Sequence, residues 1–155
     1  MRAVVFSDSH GNYDVLEKIM ERHKDDGDIF IHLGDGEREL ELIQYVYNDK
    51  KIYFVSGNCD WGTDKPDYDI IKFGEKTIFF THGARFGVKG DLNIAKLFAR
   101  KNEADILLFG HTHERYEKYV DVEEKYSEIV KSSEKIKELK KLVFFCSSYF
   151  YINDN

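Results

Sequence analysis

Five short apolar runs in this chain end, with little or no spacer, in Asp, Asn or His, and that pattern restricts the fold more than any other feature. Ala3 to Phe6 leads into Ser7-Asp8-Ser9-His10-Gly11, Ile29 to Leu33 into Gly34-Asp35, and Ile52 to Val55 into Gly57-Asn58. Ile78 to Phe80 leads into Thr81-His82-Gly83, and Ile106 to Phe109 into Gly110-His111-Thr112-His113. Runs of this length and β-branched or aromatic content read as buried strands. One such ending is ordinary, because a strand must end somewhere and these are loop residues. Five endings in residue types that bind divalent cations through oxygen or imidazole nitrogen point to a metal site built at strand ends.

Between the runs the period changes from two to that of a helix. Leu16, Ile19, Met20 and His23 share one face behind a capping Asn12, and Leu40, Ile43 and Tyr47 mark a second helix from about Glu37. Strand and helix alternate, which implies parallel strands, and in such sheets ligands gather at the carboxyl ends. From Tyr68 the pattern changes: Tyr68 to Phe73 and Lys76 to Thr81, separated by Gly74-Glu75, predict an antiparallel hairpin. Asp91 is placed to cap a helix whose inner face holds Ile94, Ala95, Leu97 and Phe98. Tyr116 to Val122 reads as a strand, Glu123 to Lys141 as an amphipathic helix, and Leu142 to Ile152 as one closing strand. The result is a mixed sheet layered with helices.

The 155 residues fit a single domain over 1–155, able to bury about two thirds of the unfolded surface. With 29 acidic against 23 basic residues and a net charge of -6, binding to nucleic acid regardless of sequence is not expected. Two cysteines, Cys59 and Cys146, are too few for a disulfide framework, so a reducing cytoplasm is the expected setting, with Cys146 in the core. The N-terminal run is interrupted too early for a signal peptide and no stretch is long enough for a membrane span. No membrane partner is expected. The sequence leaves the oligomeric state open.

Taken in order, Asp8-x-His10, Gly34-Asp35, Gly57-Asn58, His82-Gly83 and Gly110-His111-x-His113 resemble the calcineurin-like metallophosphoesterases, in particular their small YfcE-like phosphodiesterase branch. The resemblance covers roughly residues 1–113. It implies an α/β fold of four layers, two mixed β-sheets in a sandwich flanked by helices. It also implies two divalent metal ions per chain, manganese favoured among Mn, Ni, Mg, Fe and Zn. By matching positions, Asp8, His10 and His113 would hold one ion, Asn58, His82 and His111 the other, and Asp35 would bridge them. The implied activity is hydrolysis of a small phosphodiester or nucleotide by a metal-bridging hydroxide, with Asp35, Asn58 and His111 acting through the metals. The alternative is a non-catalytic interaction module on the same fold, like the retromer subunit that resembles these enzymes.

Three departures accompany the resemblance. Cys59 stands where many members have His, and a thiol is a poorer proton donor or phosphate ligand than an imidazole. The run His82-Gly83-Ala84-Arg85 lacks the second His of some relatives, and Arg85 joins Cys59 as a candidate substrate contact. The Asn-Pro-Gly-Ser turn expected after His113 is absent, so residues 113–155 form a divergent C-terminal part. His23 and His32 read as structural, and Trp61 and Phe86 as residues that either wall a cleft or are simply buried.

Overall fold

The computed structural model describes residues 1–114, 116–120, 142–146 and 149–153. The first half is the expected alternation: β1 (Arg2–Phe6), α1 (Tyr13–His23), β2 (Ile29–His32), α2 (Glu37–Val46) and β3 (Ile52–Phe54). Then come β4 (Tyr68–Phe73), β5 (Lys76–Thr81), a 3-10 turn (Ala84–Phe86), α3 (Asn93–Lys101) and β6 (Ile106–Phe109). The chain continues as β7 (Tyr116–Val120), β8 (Leu142–Cys146) and β9 (Tyr149–Asn153). These strands make two sheets rather than one. The first has the order β3-β2-β1-β9, the second β4-β5-β6-β8-β7.

Period-two alternation explains why the sheets stack with helices outside. On β1 and β2, Ala3, Val5, Ile29 and Ile31 face inward and meet Ile78, Phe80, Ile106 and Leu108 of the second sheet. Val4, Phe6 and Phe30 face the other way, onto Leu16, Ile19 and Met20 of α1 and Leu40 and Ile43 of α2. Phe79, Leu107 and Phe109 form the outer face of the second sheet, against Ala95 and Ala99 of α3. Strands buried on both faces lose the simple alternation of polar and apolar residues, which is why they read as continuous apolar runs. Each large side chain fully buried in this way is worth about 1.5–3 kcal/mol.

Within the first sheet β1, β2 and β3 are parallel and β9 is antiparallel to β1, with Ala3 opposite Ile152. In the second, β5, β6 and β8 run parallel, with β4 and β7 antiparallel on the two edges. The hairpin of β4 and β5 turns at Gly74, whose φ of 57° lies in the left-handed region that glycine adopts without steric cost. Because β1, β2, β3, β5 and β6 all deliver their carboxyl ends to one side, the five polar endings meet there.

Three expectations need correction. The run from Leu142 to Ile152 is not one strand but two, β8 in the second sheet and β9 in the first. An apolar run signals burial without saying in which sheet, and here it supplies both. Of the inner face expected for α3, Ala95 and Phe98 do pack on the sheet, but Ile94 and Leu97 are exposed and Ala99 is fully buried in their stead. Small residues let this helix lie close against Phe79 and Phe109, and a larger side chain on that face would hold it off. The helix begins at Asn93 after Leu92, and Asp91 serves from one position earlier by accepting the Asn93 N–H at 2.8 Å. The amphipathic helix expected over 123–141 lies outside the described residues, as does the side chain of Cys146.

The docking of α3 makes a sharp prediction. Ala99→Leu should destabilise the chain by about 1–3 kcal/mol through overpacking, whereas Leu97→Ala should change stability by less than about 0.5 kcal/mol. Urea unfolding followed by circular dichroism distinguishes the two helix faces.

Candidate metal centre

Each polar ending sits on a tight loop, and the backbone there is forced into an unusual conformation. Asp8, His10, Asp35, His111 and His113 all have φ between 45° and 68°, sharing the left-handed region with only one other non-glycine residue described, Glu103. Residues other than glycine pay for that conformation, and such strain collects at functional sites. The loops are cross-linked. Asp8 donates its N–H to the Gly34 carbonyl at 3.0 Å, His10 to the Asp35 carbonyl at 2.9 Å, and Gly110 to the His82 carbonyl at 3.1 Å.

The two carboxylates are arranged alike. Asp8 Oδ2 accepts the N–H of His111 at 3.1 Å, across from the other sheet, and Asp35 Oδ1 accepts the N–H of Cys59 at 2.7 Å. In each case the second oxygen is turned toward imidazoles. Asp8 Oδ1 lies 3.1 Å from His113 Nε2 and 4.0 Å from His10 Nε2, and Asp35 Oδ2 lies 3.4 Å from His82 Nε2 and 3.9 Å from His10 Nε2. His10 Nε2 and His113 Nε2 face each other at 3.4 Å. His82 Nε2 faces Asn58 Oδ1 at 3.0 Å and His111 Nδ1 at 3.2 Å. All seven residues singled out from the sequence are thus brought together, in two groups that meet at Asp35.

This donor set fits divalent cations. Asp8 Oδ1 is buried with no hydrogen-bond partner in spite of its close imidazole neighbour, so the lone pairs converge on a common point rather than pairing with one another. A buried oxygen left in that state is costly unless something positive occupies the point. Atoms of Asp8, His10 and His113, and of Asp8, Asp35 and His82, lie within 4.8 Å of one another, close enough to share an ion. The His82 Nδ1–H donates to the Leu33 carbonyl at 2.9 Å, which leaves Nε2 as the lone-pair nitrogen facing the cluster. Burial works against protonation of His82, but the Asp35 and Asp8 carboxylates outweigh it and raise its pKa. Burial would likewise raise Asp35, yet the neighbouring His82 imidazole and the hydrogen bond from the Cys59 N–H hold it well below the usual carboxylate range.

Two residues that carry the site are not visible as ligands in the sequence. The carboxylate of Asp60 accepts four backbone N–H groups, from Asp35 at 2.8 Å, Gly36 at 2.9 Å, Glu37 at 3.0 Å and Gly57 at 2.8 Å. It therefore caps the N-terminus of α2, where Gly36 offers no capping side chain, and ties the Asp35 loop to the Asn58 loop. Although burial opposes it, these bonds lower the pKa of Asp60. Gly57 is required at this junction, since a Cβ there would collide with the backbone and carboxylate of Asp35. Glu39, buried in α2, accepts the N–H of Gly11 at 2.6 Å and the hydroxyl of Ser9 at 2.7 Å, bracing the His10 loop. The only sequence signal for either was an acidic residue beside a motif.

The other candidates divide. Cys59 is exposed at the edge of the centre, with its thiol pKa raised by burial and by Asp35, so it remains protonated near neutral pH. Arg85 is exposed in an ion pair with Asp67, at one end of a cavity of about 290 Å³ that Asn58 and His82 also line. Trp61 stands at the cleft and is 88% exposed, while Phe86 is buried among Phe79 and Phe98 and walls nothing. His23 hydrogen-bonds Asp26 at 2.9 Å, and His32 is fully buried between Ser9 and the Gly34 N–H. Both are structural, as their positions implied.

Residues 1–131 match the family model of the calcineurin-like phosphoesterase superfamily domain. The chain belongs to that superfamily. The probable metallophosphoesterase YsnB of Bacillus subtilis is 35% identical over 116 residues, which is 73% of this chain and 64% of YsnB, so the match spans less than two thirds of that relative. The phosphodiesterase YfcE of Escherichia coli is 25% identical over 135 residues, covering 73% of this chain and 70% of YfcE. Among solved structures, a conserved Streptococcus pneumoniae protein described as a predicted phosphoesterase superposes with a TM-score of 0.72 at 23% identity, over 99% of this chain and 83% of that one. Zinc-complexed Vps29 of Entamoeba histolytica gives 0.69 at 17% identity, over 100% and 87%. Both likenesses establish the metallophosphoesterase fold of this superfamily member, with the two mixed sheets that the resemblance implied.

Two measurements test how this end of the molecule is held. Asp60→Ala should cost at least about 2 kcal/mol because four amides lose a charged acceptor, and Asp60→Asn should cost less; urea unfolding reads both. His32 is kept neutral by burial, its pKa lowered to about 4 from an ordinary 6.5. The unfolded chain then binds the extra proton first as pH falls, so stability drops between about pH 6.5 and 4, by roughly 3 kcal/mol from this residue. His32→Gln should flatten that part of the stability profile, measured against the parent chain.

Proposed function

We propose that this chain is a metal-dependent phosphodiesterase that hydrolyses a small phosphodiester, with two divalent cations at the centre. In this reading Asp8, His10 and His113 hold one ion, Asn58, His82 and His111 the second, and Asp35 lies between them. The single observation that carries it is the paired carboxylate geometry: each has one oxygen tied by a backbone amide from another loop and the other aimed among imidazoles. Cations in such a pair lower the pKa of a water molecule and neutralise charge on the phosphate.

The protein's own part is orientation. Asp60 and Gly57 hold the Asp35 loop against the Asn58 loop, Glu39 and Ser9 hold the His10 loop, and Leu33 sets the tautomer of His82. In this reading Arg85, which lines the cavity beside Asn58 and pairs with Asp67, turns to a phosphate oxygen, and Cys59 meets the substrate as a neutral thiol. A site of nitrogen and oxygen donors selects weakly among Mn, Ni, Mg, Fe and Zn, and manganese is the expected ion. A reducing cytoplasm suits the exposed thiol of Cys59. No helix of the described residues is long and apolar enough to cross a membrane. The reading as a non-catalytic interaction module draws on the likeness to Vps29, which at 17% identity extends to the fold alone. A complete set of seven donors favours catalysis.

Chelator-stripped protein supplied with Mn2+, Ni2+, Mg2+ or Zn2+ in turn should hydrolyse bis(4-nitrophenyl) phosphate faster than 4-nitrophenyl phosphate. Asp35→Asn and His111→Ala should reduce that rate to the metal-free background and lower the number of cations bound, read by calorimetry, with the fold intact by circular dichroism. Activity retained in Asp35→Asn, or unaffected by chelation, would overturn the assignment.

A further inference from the structure

Trp61 is the sole tryptophan of the chain and takes part in none of its three cores. A side chain of that size left 88% exposed forgoes a large burial gain, so its position calls for a use. Two cavities meet at it. One, of about 290 Å³, is lined by Asn58, His82 and Arg85 among others; the other, of about 380 Å³, by His10, Asp35, Cys59 and Arg38. Only Asp60 and Trp61 line both. The indole therefore stands where the two sides of the candidate metal centre open to solvent.

The backbone that carries it is fixed although the side chain is not buried. Trp61 follows Asp60, whose four amide bonds fix the loop, and its own N–H donates to the Cys59 carbonyl at 3.2 Å. An exposed aromatic face on a fixed loop beside the proposed phosphate site suits stacking of a flat group, which needs no hydrogen-bond code because every nucleobase has a π-face. We propose that Trp61 is a specificity residue, the stacking platform for a planar heteroaromatic group of nucleobase size on the phosphoester. The inference rests on the phosphodiesterase reading for the position of the phosphate. Arg85 lines one cavity and Arg38 the other, so either is available to a further anionic oxygen on the same ligand.

Because Trp61 is the one indole, its fluorescence reports the contact directly. The full chain loaded with Mg2+ is titrated with adenosine 5′-monophosphate and, separately, with ribose 5-phosphate, which has the same phosphate and sugar without the base. Saturable quenching by the first, with affinity at least about fivefold above the second, is the expected result. Calorimetry should show that margin lost in Trp61→Ala and partly kept in Trp61→Phe, both of which alter an exposed side chain outside the cores. Equal affinity for the two ligands, no saturable quenching, or an unchanged margin in Trp61→Ala would overturn the proposal. The two readings fail separately: metal-dependent diester hydrolysis without a base preference removes the platform and leaves the enzyme. Base-dependent quenching without hydrolysis under any metal keeps the platform and removes the enzyme.

Discussion

The functional end of this molecule depends on one carboxylate that is not among the candidate ligands. Asp60 accepts N–H groups from the loop after β2, the first turn of α2 and the loop after β3. The same four bonds do three things. They cap a helix that has no cap of its own, they place the Asp35 carboxylate with one oxygen on the Cys59 N–H, and they fix the loop that carries Asn58 and Trp61. Charge at a helix N-terminus is favourable in itself, so the clamp is reinforced by the α2 dipole.

The sandwich supplies the second requirement, which is convergence. Four of the seven donors, Asp8, His10, Asp35 and Asn58, follow strands of the first sheet and three, His82, His111 and His113, follow strands of the second, so neither sheet alone holds the full set. The inner core between Ala3, Val5, Ile31 and Phe80, Leu108 fixes the distance between them, and the bond from His111 N–H to Asp8 closes the gap at the rim. Crowding two carboxylates and four imidazoles into this space leaves Asp8 Oδ1 buried and unsatisfied, a cost borne by the packing behind it. The left-handed backbone at Asp8, His10, Asp35, His111 and His113 is part of the same cost.

Much of this was legible from local pattern. The strands, α1 with its Asn12 cap, α2, and the hairpin at Gly74 follow from periodicity and turn chemistry, and the seven donors follow from their places at strand ends. What escaped is what depends on partners distant in sequence. Asp60 is 24 residues from Gly36, whose N–H it accepts, and Glu39 is 28 residues from Gly11. The face of α3 was read only in part: Ala95 and Phe98 do face the sheet, but apolar spacing marks Ile94 and Leu97 equally, and only close approach to Phe79 and Phe109 selects Ala99 over them. Trp61 and Phe86 looked equivalent, yet one is exposed and the other buried.

By itself the sequence determined which segments are strands and helices, and that Asp, Asn and His side chains leave the strands at their carboxyl ends, because both follow from short-range sterics and the period of the backbone. The tertiary structure alone decided how the closing strands are shared between the two sheets, with Leu142–Cys146 in one and Tyr149–Asn153 in the other. It also decided which oxygen of each carboxylate is tied to backbone and which is left for a cation. Those outcomes turn on hydrogen bonds and packing between residues tens of positions apart, where no local propensity acts.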